Sequence, residues 1–182
     1  MPANLILHVA DLLLGHANAL NAGKFVASRF YGEMRATLAD AHTAAYMAGA
    51  AQRLGVREGS ALLKRGNLSR AERDTINAAV AKQDSYLKGF VADIQAGELS
   101  EAQIAARAAS YAGSVKATYA EALAPGLPFY PGDGGTVCGN NCKCSWQQRG
   151  NDWYWTFGAA EHCPDCIDRH DGNPYSTQEN PQ

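Results

Sequence analysis

Apolar residues recur at three- and four-residue steps through the first two thirds of the chain, the spacing of amphipathic helices, and the repeat breaks at a few glycines. It predicts a short first helix over 3–20, with Leu5, Val9, Leu12 and Leu13 on one stripe, ended by the break at 21–23. A second helix is expected over 24–54, carrying Val26, Phe30, Met34, Leu38, Ala41, Ala45 and Ala48, with Gly55 as its stop. Gly59 and Gly66 amid alternating charge place a connector over 55–67, packed down by Leu62 and Leu63.

Ser69 followed by Glu72 is a capping-box pattern, in which the serine side chain takes up an orphan backbone N–H and the glutamate reaches back. It opens a third helix with Ile76, Val80, Gln83, Leu87, Phe90 or Val91, and Ile94 along one face, ended by Gly97. Ser100 and Gln103 repeat the pattern and open a fourth, with Ile104, Ala108, Tyr111, Val115 and Tyr119 on its apolar stripe, ending before Pro125. So short a connection around Gly97 makes these two helices an antiparallel hairpin. The run of small residues from Ala105 to Ala112 would let a further helix approach, although alanine is also simply the best helix former.

From Pro125 to Gly135, three prolines and four glycines rule out a helix and mark a linker, whose Phe129 and Tyr130 suit packing along a surface. Beyond it, Trp146 to Arg149 and Trp153 to Phe157 flank Gly150-Asn151-Asp152 and read as two strands around a turn. Trp153, Trp155 and Phe157 alternate onto one face, most simply as hairpin core. The expected fold is mainly α: a helical domain over 1–124 of about four helices, a linker over 125–137, a zinc-binding β-hairpin or ribbon module over 138–170, and a poorly ordered polar tail over 171–182.

Composition narrows the function classes. A hydrophobic content of 46% supports an ordinary core, and a formal charge of -2 supplies no long-range field to gather nucleic acid. The apolar start, 5–20, is interrupted by His8, Asp11, His16 and Asn18, too polar for a membrane span. No basic residue precedes it, as a signal peptide requires, so synthesis in a host cytoplasm is expected. No carboxylate cluster, phosphate-binding glycine loop or histidine set indicates an active site, and the chain is expected not to be an enzyme.

The chemistry lies in the five cysteines, Cys138, Cys142, Cys144, Cys163 and Cys166, which an odd count in a reducing compartment makes unsuited to a disulfide framework. Zinc takes four thiolate or imidazole ligands in a tetrahedron, and cysteine pairs on tight turns present two sulfurs to one ion. Cys163-Pro-Asp-Cys166 is the cleaner pair, separated from Cys144 by eighteen residues, a zinc-ribbon spacing. With Cys142 and Cys144 only two apart, the expected ligands are Cys138 with Cys142 or Cys144, plus Cys163 and Cys166, holding about one structural zinc per chain. His162 is left outside the set, and His170-Asp171 is read as solvated surface.

Several stretches resemble the phage head morphogenesis proteins, the broad Mu F-like minor head protein family: Gln83 to Gly97, Arg107 to Tyr111, Leu127 to Thr136, and Asn141-Cys-Lys-Cys144-Ser-Trp146. Some members carry a Glu-His-Cys-x-x-Cys element such as 161–166, and the likeness covers about Arg73 to Tyr175. It implies a virion protein acting in head assembly or at the portal or head-to-tail joint, oligomeric in the particle, with portal, major capsid or connector proteins as partners. It implies neither membrane nor specific nucleic acid. This chain lacks the long N-terminal region of larger members, which opens the alternative of a capsid-surface cement protein. A zinc-ribbon nucleic-acid module is the remaining alternative; against it, Lys143, Arg149 and Arg169 are offset by Asp152, Glu161, Asp165, Asp168 and Asp171.

Overall fold

A computed structural model describes residues 26–56 and 67–177, together with Gly15. The first predicted helix and most of the connector after Gly55 lie outside the described residues. Within them run three long helices, α1 (Ala27–Leu54), α2 (Arg70–Ala96) and α3 (Glu101–Leu123), then two strands, β1 (Ser145–Arg149) and β2 (Asp152–Thr156), and a short α4 (Pro164–Asp171). The mainly helical fold with a small antiparallel hairpin near the C-terminus is as the pattern predicts. Among the described residues no helix is long and apolar enough to cross a membrane.

The chain divides into two compact units, one of 1–44 with 68–113, the other of 45–67 with 114–182. The division falls within α3 and not after Ala124, because the last turns of α3 bury Ala120 and Ala124 among the aromatic and cysteine residues that follow.

The first unit is built by helix periodicity. Ser69 and Glu72 close the capping box that starts α2, and Gly97 at φ 71° ends it in the left-handed conformation that glycine tolerates best. Ile76, Val80, Gln83, Leu87, Phe90, Val91 and Ile94 are all buried, so the apolar face takes in both Phe90 and Val91. The pair Asp93 and Arg107 and the ring contact Phe90–Tyr111, 5.8 Å between centroids, set α2 and α3 antiparallel. Phe30, Met34 and Leu38 of α1 complete this core. Val26, expected on the same stripe, is exposed, since α1 begins one residue after it.

In the second unit the later turns of α1 meet those of α3 without room for a side chain: a Cβ on Gly49 would collide with the Tyr119 carbonyl oxygen. Tyr119 is accordingly half-buried with its hydroxyl on Gln52, and Thr118, Ala120 and Ala122 take the buried positions. β1 and β2 pair antiparallel with Trp146 opposite Trp155. Trp153 and Trp155 share the buried face, whereas Phe157, beyond the strand, is exposed.

The expected polar tail is ordered as far as it is described. Tyr175 exchanges two backbone hydrogen bonds of 2.8 Å with Trp153, and the Asn173 side chain bonds both backbone groups of Trp155. Together they occupy the free edge of β2, which would otherwise present unpaired amides.

Candidate metal centre

Cys138 and Cys142 flank a 3-10 turn, Cys144 immediately precedes β1, and Cys163 and Cys166 sit at the start of α4. The Pro/Gly-rich stretch before them is packed, not loose: Leu127 and Pro131 are buried, Asp133 caps the turn by accepting from the amides of Tyr130 and Gly135, and Phe129 sits among aromatic rings. Phe129 stacks on Trp146 at 5.6 Å and meets Trp155 and Tyr175 edge-on at 5.5 and 5.3 Å. Arg169 lies over the Phe129 ring at 4.1 Å and donates to the Gly135 carbonyl, tying α4 to this stretch. Cys138 then opens a single 3-10 turn over Gly139–Asn141, which sets Cys142 behind it.

Cys163 is the N-cap of α4 with Pro164 in the first turn, and Cys166 follows on the helix, with its amide aimed back at the Cys163 carbonyl. Proline suits this place because its missing N–H is one of the helix orphans anyway. Cys142, Cys144 and Cys166 are buried; Cys138 and Cys163 are partly so.

All five thiols are unbridged and all five come together. The sulfurs lie 3.7 Å apart for Cys138–Cys166, 3.7 Å for Cys138–Cys163 and 3.8 Å for Cys142–Cys166. Four sulfurs each 2.3 Å from a central zinc stand about 3.8 Å apart. That edge length is far above an S–S bond of about 2.05 Å, so the spacing fits thiolates around an ion and not a disulfide. The donor set and spacing therefore fit a soft metal such as zinc.

The sulfurs form two sets of three, Cys138 with Cys163 and Cys166, and Cys142 with Cys144 and Cys166. Cys166 belongs to both. Burial first, then the adjoining thiols, raise its pKa well above the ordinary thiol value. Burial acts the same way on Cys163, but hydrogen bonds from the Cys138 and Cys166 backbone outweigh it and bring this thiol down to about 7. A thiol at a helix N-terminus is placed to ionise.

Three polar residues outside the cysteine pattern reach the cluster, the Thr136 hydroxyl lying 3.1 Å from the Cys138 sulfur. Lys116 of α3 donates to the carbonyls of Cys142, at 2.9 Å, and Cys144, at 2.6 Å. Burial lowers its pKa, while the Cys142 and Cys144 thiols oppose that shift. His162 places Nδ1 3.9 Å from the Cys144 sulfur and stacks on Phe157 at 4.1 Å between centroids. His170 stacks on Phe157 too, at 4.3 Å, and so is held against the module and not simply solvated. The sequence signal for His162 was its place beside Cys163; none marks Lys116, whose link to the cysteines exists only after folding.

The chain was compared with family models, curated proteins and solved structures, and none of the three comparisons returned a match.

Proposed function

We propose that this chain is a structural component of a bacteriophage virion, a minor head protein acting in head assembly or at the portal or head-to-tail joint, with its cysteine module held by zinc. The observation that carries the reading is that two of the stretches behind the head morphogenesis resemblance, 127–136 and 141–146, meet in one buried cluster. Leu127, Phe129, Cys142, Cys144 and Trp146 share a single buried cluster. A thiol-rich site enclosed by tryptophans suits a metal that fixes shape, as structural zinc does. A protein that must survive in an assembled particle gains from such a staple, since metal binding is coupled to folding.

The test is mass spectrometry of purified particles from a host strain that carries the gene. The chain is expected in stoichiometric amount with the portal or other head proteins; its absence from mature particles overturns the virion role. Elemental analysis of the purified chain tests the metal separately, with zinc expected to stay bound through gel filtration.

A further inference from the structure

One tetrahedral ion needs four donors that are mutual neighbours, with all six edges near about 3.8 Å. The cysteines gather instead as two sets of three within 4.8 Å, and Cys166 is the member they share. Each set supplies three corners of a tetrahedron. The inner set, Cys142, Cys144 and Cys166, is wholly buried, and the outer set, Cys138, Cys163 and Cys166, is partly exposed. His162 Nδ1 lies 3.9 Å from the Cys144 sulfur but belongs to neither set, so each set stands as three thiols.

Resting on the zinc reading above, we propose that the module holds two zinc ions bridged by the Cys166 thiolate. The inner ion takes Cys142, Cys144 and Cys166 and the outer takes Cys138, Cys163 and Cys166, each with a fourth position that no cysteine fills. This arrangement uses every cysteine in the chain and leaves no spare thiol beside a metal site.

Charge supports the same count. Five thiolates against two divalent ions leave one net negative charge. The Lys116 ammonium, anchored on the Cys142 and Cys144 carbonyls, supplies one positive charge at the buried side.

The experiment is metal titration of the full chain, reduced, stripped and refolded with zinc or cobalt. About two zinc ions per chain are expected by elemental analysis. With cobalt, the paramagnetic signal that grows with the first equivalent should fall with the second, because a shared thiolate couples the two spins. A plateau at one equivalent overturns the two-ion cluster and leaves the zinc reading standing; no binding at all overturns both. Cys138→Ser should reduce the count to about one while tryptophan emission stays native, and Cys144→Ser should weaken the inner ion and leave the outer in place. Two tightly held ions in both variants would overturn the ligand assignment. None of these outcomes bears on presence in the particle, so the two readings fail separately.

Discussion

Leu87, Phe90 and Met34 in the first unit are buried by helices that would present the same stripe wherever they packed, whereas Trp155, Cys144 and Cys166 in the second are buried only because distant segments close over them. The first core is aliphatic and aromatic residues repeating at helical spacing. The second joins the end of α3, the 125–135 stretch, a two-stranded hairpin, one short helix and Tyr175, none long enough to bury a face alone. A two-stranded hairpin is marginal by itself in water. Small units of this kind usually need a cross-link or metal, so the two halves should respond differently to the same insult.

The sharpest separation comes from removing metal. The three tryptophans all lie in the hairpin, so their emission reports the second unit, while far-UV circular dichroism is dominated by the long helices. A strong chelator should red-shift the emission and leave most helical signal, because structural zinc contributes on the order of 10 kcal/mol to folding of such modules. Cys166→Ser, which removes the sulfur common to both sets, should behave like the chelator. Unchanged emission in excess chelator would mean that the aromatic cluster holds the module by itself, and the contrast between the units would collapse.

The converse insult falls on the first unit. Phe90 is buried at the centre of that core, in ring contact with Phe30 and Tyr111. Phe90→Ala should cost about 4 kcal/mol in urea unfolding followed by circular dichroism, from lost burial and the cavity left behind. A cost below about 1 kcal/mol would show a core loose enough to collapse into the space.

These two tests also mark what was legible in the sequence. Capping residues and three- and four-step spacing suffice for α2 and α3, since each is a local property of one segment. Cysteine spacing likewise points to a metal-binding module. Not legible were Lys116 and the ordering of Asn173 and Tyr175, each of which depends on a partner many residues away. Phe129 shows why: composition alone makes its neighbourhood a linker, but three rings and a guanidinium surround it only after the hairpin and α4 are in place. The division within α3 was hidden for the same reason, because no residue at Gly113 interrupts the helix.

Acid distinguishes the units as well. His42 in the first unit is almost fully buried, and burial lowers its pKa from the ordinary 6.5 to about 4. The unfolded chain therefore binds a proton at higher pH than the folded one. The stability from keeping this ring neutral is complete above pH 6.5 and is lost as pH falls toward 4, a total of about 3 kcal/mol. Urea midpoints measured by circular dichroism from pH 7 to 4 should fall accordingly, and His42→Gln should flatten the slope. An equal slope in that variant would assign the acid sensitivity elsewhere.

Lys116→Met tests how far a single side chain holds the cysteine loop. It deletes two charge-assisted hydrogen bonds to the carbonyls of Cys142 and Cys144 while keeping most of the buried stem. The expected cost is about 2 kcal/mol, seen as a lower chelator concentration for the tryptophan shift and no change in helical melting. A loss of helix signal in step with emission would show that the insult is not confined to the second unit.

The smallest effect belongs to the best-predicted feature. Ser69→Ala removes the hydroxyl that accepts from the Glu72 amide and leaves the return bond from Glu72 to the Ser69 amide. Both groups are near the surface, so water replaces the lost partner and the cost should be about 1 kcal/mol, with metal content unchanged. Ser69→Asp keeps an acceptor at the N-cap and should restore most of it. If Ser69→Ala lowered zinc content, helix formation in the first unit and assembly of the cysteine module would be coupled, and local capping would matter well beyond the helix it starts.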